Sequence, residues 1–157
     1  MDYSYGLSMG LHTLASVVWV GGMFFAHVIL RPVATELTPV ERMVLWRKVL
    51  PRFFAWVWLS IVMLLLTGYG VLLLGYRGGL GGGGSHVDIM QVTGLIMVGL
   101  YVQLFFGPWQ GFKRAAAAGE IERAVDYLAR MRHIVATNLI LGLVTIFVGA
   151  VGSLLGT

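Results

Sequence analysis

The chain has 157 residues, of which 58% are hydrophobic and 11% charged, against roughly 25% charged in soluble domains. That balance excludes an ordinary water-soluble domain, and the absence of cysteine excludes disulfides, thiolate metal sites and cysteine nucleophiles together. The net charge of +4 comes from basic residues sorted into particular loops, which points to orientation in a membrane and not to a nucleic-acid partner.

Four stretches carry no Asp, Glu, Lys or Arg: residues 3–30, 53–76, 89–112 and 134–157. Each exceeds the ~20 residues that cross ~30 Å of hydrocarbon as a helix, and an open chain can cross only as a helix, because every backbone amide must pair internally. The expectation is a single all-α domain over 1–157, an integral membrane four-helix bundle with spans at about 5–30, 53–75, 87–108 and 133–155. The first span is not expected to be a cleaved signal peptide: Asp2 precedes it with no basic residue, and its apolar run is too long for an h-region.

After the first span, Thr38, Pro39 and Glu41 supply a capping hydroxyl, a proline at the first turn and an acid at the third position. They predict an amphipathic helix over about 39–50 at the membrane surface, with Pro51 opening the second span. The second loop, "YRGGLGGGGSH", is too glycine-rich to order; its "GGGGS" run also has the composition of an engineered linker. In the third loop Ile121, Val125 and Leu128 recur at helical spacing against Glu122, Arg123, Asp126 and Arg130, predicting a helix over about 120–132 that runs straight into the fourth span. The first loop holds Arg31, Arg42, Arg47, Lys48 and Arg52, the third Lys113, Arg114, Arg123, Arg130 and Arg132, and the second only Arg77. Positive charge stays cytoplasmic, so loops one and three are expected inside, both termini outside, and the helices up-down-up-down.

Ionisable residues within spans are costly and usually functional. At 1.5 Å per residue, His12 and His86 fall near the outer side and His27 and His133 near the inner side. At 100° per residue, Trp19, Gly22 and Met23 share the stripe of His12, while His86, Met90, Thr93 and Met97 share a face of the third span. Both faces are expected to look into the bundle. Two chemistries use such a layout. Histidines on facing helices can ligate a haem iron, with glycines leaving room for the macrocycle. Imidazole and thioether suit copper, and Met63 and Met97 lie near mid-span. Depth pairs His27 with His133, whereas burial favours His12. The primary site is therefore expected at His12, with His86 nearby and Met90 as an alternative partner; His27 and His133 stand as a second candidate metal pair, ranked below it, with a structural role as the alternative. Plainer roles stand beside these. Histidines at span ends are commonly interfacial, and mid-span methionines fill cores. Trp46, Trp56, Trp58 and Trp109 suit an aromatic belt, Asn138 a helix-to-helix hydrogen bond, and the charged loop faces lipid headgroups.

The run "LHTLASVVWVGGMFF" resembles the opening of copper-resistance D (CopD)-type membrane proteins: a histidine, a tryptophan seven later, then Gly-Gly. The likeness continues at Arg31-Pro32, Arg52-Phe53-Phe54 and Thr67-Gly68, and resumes at Met90, Gly94, Met97, Arg132 and "NLILG" from Asn138 to Gly142. This resemblance implies a bacterial inner-membrane four-helix unit associated with copper handling. The pattern of His12, Trp19 and Gly22 is also similar to the first span of HemJ-type protoporphyrinogen oxidases, which implies haem ligation by His12. The first expectation is therefore a redox-active metal centre holding b-type haem. Copper binding or passage comes second, and a cofactor-free assembly subunit third. The lipid bilayer is the expected surrounding, with a homo-oligomer or a larger membrane complex as partner; whether the chain is an enzyme stays open.

Overall fold

The computed structural model describes residues 3–74 and 84–155, with side chains to residue 152. The glycine loop from 75 to 83, with Arg77 and most of the "GGGGS" run, lies outside the described residues. The described chain is helical: α1 (Tyr3–Phe24), a π-helical segment (Phe25–Leu30), α2 (Arg31–Thr35), α3 (Pro39–Leu73), α4 (Ser85–Phe106), α5 (Pro108–Ala117) and α6 (Ile121–Leu155). Four helical runs, Tyr3–Thr35, Pro39–Leu73, Ser85–Ala117 and Ile121–Gly152, are long and apolar enough to cross a membrane.

The start of α3 follows the sequence signal. The Thr38 N–H donates to Glu41 Oε2 at 3.0 Å and the Glu41 N–H returns to Thr38 Oγ1 at 3.4 Å, a reciprocal box that satisfies two helix-end donors. Pro51 does not divide this helix. It lies inside α3, where its missing N–H deprives the Arg47 carbonyl of a partner. The surface segment expected at 39–50 and the second span are thus one 35-residue helix. Likewise α6 is continuous over 35 residues, as its apolar spacing predicts.

Helix α5 has no counterpart in the sequence expectation. Gly107, at φ −100° and ψ −98°, leaves helical geometry, and Pro108 restarts the chain at the first helical position. The new helix buries Trp109, Phe112, Ala115 and Ala116 against α6. Gly111 permits that approach, since a Cβ there would overlap the Tyr127 ring. Gly119, at φ +73°, turns the chain into α6 in a conformation that favours glycine.

The principal helix pairs are α1 with α3 and α4 with α6, linked mainly through α6. An aromatic cluster binds the two pairs. Trp19 meets Tyr101 edge-on at 6.3 Å, Tyr101 meets Phe54 at 5.8 Å and Trp58 at 5.2 Å, and Phe54 meets Trp109 at 5.2 Å. The Tyr101 hydroxyl donates to the Phe54 carbonyl at 3.1 Å. Such edge-to-face pairs add about 0.5–1.5 kcal/mol each beyond the area they bury. Trp58 and Trp109 therefore belong to the core or pack against it instead of forming an interfacial belt; Trp56 alone among the four is largely exposed. Leu14, Val17, Leu66, Val92, Ile140 and Phe147 are exposed, as expected where a bundle's outer face meets hydrocarbon.

Candidate functional site

His12 sits half-buried on α1 against the C-terminal end of α3, and its surroundings decide its tautomer. Thr67 has one hydroxyl proton, which it donates to the Met63 carbonyl at 2.6 Å. Its oxygen therefore accepts from His12 Nδ1, 2.9 Å away. With Nδ1 protonated, the neutral ring carries its lone pair on Nε2. The next residue on α3 is Gly68, where a Cβ would stand 3.2 Å from His12 Cε1, so the imidazole lies close against the α3 backbone.

The face His86, Met90, Thr93 and Met97 forms a seam with α6. His86 packs where a Gly152 Cβ would be, and the Met90 sulfur lies 2.8 Å from where a Gly149 Cβ would be. Thr145 Oγ1 donates to Thr93 Oγ1 at 2.7 Å. The Met97 methyl would stand 3.1 Å from a Gly142 Cβ, and Asn138 Nδ2 donates to the Met97 carbonyl at 3.1 Å. Glycine opposite a bulky side chain is the usual means of bringing membrane helices together. His86 and His12 are thus held on different helix pairs. His86 also borders a small pocket of about 200 Å³ with Ser85, Phe147 and Val151. Asn138 fulfils its expected helix-to-helix role, while its Oδ1 is buried with no hydrogen-bond partner among the described residues.

Trp19 and Gly22 do not share one environment with His12. Trp19 is buried at the bundle centre against Tyr101. Gly22 faces Phe53, where a Cβ would stand 2.8 Å from Cε2 of the ring, and it opens the second site, a cavity of about 280 Å³ at the end of the bundle where the basic loops gather. This cavity lies between the π-helical segment, α3 and the first half of α6. Phe53, Leu104, Leu128 and Val135 form part of its apolar wall, and His27, Arg31, Arg42 and Arg132 its polar rim. His133 is exposed and does not line it. Arg132 Nη2 lies 3.3 Å from His133 Nε2; a guanidinium can only donate, so that nitrogen's lone pair is occupied. His27 and His133 are therefore not brought together as a ligand pair around the cavity.

The π-helical segment explains why His27 turns into this cavity. Uniform 100° steps hold through Phe24, but a π turn, with i→i+5 bonding, takes in more residues than an α turn and changes the heading beyond it. Sequence spacing also gave no sign of Thr67 as the partner of His12; the adjacent Thr-Gly pair was visible, but its opposition to His12 depends on helix pairing. Among the described residues there is no group of three or more His, Cys, Asp or Glu side chains placed to hold a metal ion. No protein-family model, curated protein or solved structure matches the chain.

Proposed function

We propose that the chain is a copper-resistance D-like protein of a bacterial inner membrane, with both termini on the outer side and an up-down-up-down course, holding a redox-active metal centre with b-type haem ligated by histidine. The observation that carries this reading is the hydrogen bond from His12 Nδ1 to Thr67. Metal-ligating histidines are oriented by a partner at the second ring nitrogen, which fixes the tautomer and the ring direction. Thr67 is such a partner, and it leaves Nε2 as the donor atom. That nitrogen would be available to hold a haem iron. When bound, haem supplies one-electron transfer. Thr67 would hold the ring's rotation, and Gly68 would keep the imidazole close against α3.

The test is the absorbance spectrum of the detergent-purified protein after reconstitution with haem. A Soret band is expected, and His12→Ala should abolish or shift it. Thr67→Val keeps the imidazole but removes its orienting partner, and should weaken haem affinity by roughly 10- to 100-fold. His133→Ala should retain most of the haem. An unchanged spectrum in His12→Ala, at intact yield, removes His12 as ligand, and a wild-type protein that takes up no haem overturns the reading.

A second reading, copper binding or passage, is favoured by His86 and Met90. They lie one turn apart on α4 against the glycines of α6, an imidazole and a thioether of the kind that suits Cu(I). Copper found by elemental analysis in colourless protein would select it. Protein with neither copper nor a Soret band, co-purifying with a larger complex, is what a structural subunit would give.

A further inference from the structure

We propose that the cavity at the basic end of the bundle is a binding site for the headgroup and upper acyl chain of an anionic phospholipid. Its location is the first reason. Ten of the eleven Lys and Arg residues, but only five of the seven acids, lie between Arg31 and Arg52 or between Lys113 and Arg132, so this end carries an excess of positive charge. The lining itself is more one-sided: it holds Arg31, Arg42 and Arg132 and no Asp or Glu. The described ion pair of the molecule, Arg123 with Glu120, does not involve the lining.

The three guanidiniums are not equivalent. Arg42 is committed to the backbone, donating through Nε to the Ala34 carbonyl at 3.2 Å and through Nη2 to the Thr35 and Leu37 carbonyls, each at 3.3 Å. It closes the turn between α2 and α3 and fixes one side of the rim. Among the described residues no hydrogen bond or ion pair engages the Arg31 guanidinium. Arg132 is engaged through Nη2 alone, which leaves donors over. Guanidiniums crowded together without a carboxylate at a membrane interface repel one another, and a phosphate diester between them relieves that repulsion with charge-assisted hydrogen bonds.

The wall says what the phosphate is attached to. Behind the rim the lining is apolar, drawn from α3, α4, α6 and the π-helical segment. Free phosphate would leave that surface uncovered, whereas a lipid places its glycerol and first methylenes there. At about 280 Å³ the cavity is at the lower end of the roughly 300–1,000 Å³ of small-molecule pockets, so it takes one end of a lipid and leaves the chain ends to the bilayer. Four of the six π-helical residues, Phe25, Ala26, His27 and Leu30, line it. Such segments interrupt α-helices at functional places more often than elsewhere, and here the segment carries the wall from Gly22 to Arg31.

The test uses the full chain in detergent, offered equal amounts of phosphatidylglycerol and phosphatidylcholine with the same acyl chains, and counts retained lipids by native mass spectrometry. The wild type should favour phosphatidylglycerol by roughly tenfold. The double variant Arg31→Gln/Arg132→Gln should fall to near parity, while Arg47→Gln, outside the lining, should behave as wild type. Ala129→Phe narrows the apolar wall without removing charge and should also lower retained phosphatidylglycerol; it serves where the double variant does not fold. Equal retention of the two lipids by the wild type overturns the proposal. So does an undiminished preference in either folded lining variant. Inorganic phosphate, tested alone at the same concentration, should raise thermal stability less than phosphatidylglycerol does; equal stabilisation would assign the rim to free phosphate and overturn the lipid.

Discussion

At Gly152 an added methyl would overlap His86 Cβ, and at Gly149 it would meet the Met90 sulfur at 2.8 Å. The two clashes differ in what can yield. A thioether at the end of a flexible chain can swing aside, whereas a Cβ is one bond from its own backbone. Gly152→Ala should therefore push α4 and α6 apart and cost about 1–3 kcal/mol, while Gly149→Ala should cost under about 1 kcal/mol. At Gly99 a Cβ meets nothing within 4 Å, so Gly99→Ala should be neutral or should stabilise by up to about 1 kcal/mol through helix propensity. Thermal unfolding in detergent, followed by loss of the monodisperse peak, gives the order; equal losses at Gly149 and Gly152 would show that the seam adapts at both. At this scale the sequence marked the right residues but left their partners open. His86, Met90, Thr93 and Met97 are legible as one face from spacing alone, yet nothing in spacing says that the face meets glycines of α6.

Among the elements, the π-helical segment is the one that periodicity misses, because a π turn differs from an α turn by about one residue and leaves no mark in composition. That surplus makes a prediction. Deleting Val28, exposed within the segment, should let the chain close as continuous α-helix with the span intact. Deleting Val17, also exposed but within α1, should rotate His12 by about 100° relative to Trp19 and break the seam with α3. Expression yield and thermal stability should be near wild type for the first deletion and severely reduced for the second. Comparable losses would mean that the segment's extra residue is required by packing. The capping box at Thr38 and the continuity of α6 were readable because both rest on local residue patterns. The helix at Pro108–Ala117 was not, because its apolar residues follow an apolar span and its start depends on Gly107 leaving helical geometry.

For the molecule as a whole, the ten-to-one division of basic residues between loops is the strongest indicator of orientation. The chain has no cysteine, so single cysteines report without background. Ser85 and Ala117 are both exposed, at opposite ends of the third helical run. In intact cells, cysteine at Ser85 should react with a membrane-impermeant reagent, and cysteine at Ala117 should react only after permeabilisation. The reverse pattern would invert the orientation and move the basic cavity to the outer face.

What the sequence determined by itself was the number of helices long and apolar enough to cross a membrane, the division of charge between the loops and the residues that share a helix face. Each follows from chain length, hydropathy or a fixed helical period. What only the tertiary structure decided was which faces meet: His12 against Thr67 and Gly68, His86 against Gly152, and three arginines around one cavity. Helix pairing in a membrane depends on close packing between surfaces of similar hydropathy, with small residues opposite large ones. That fit is a property of two shapes together, and no single helix carries it.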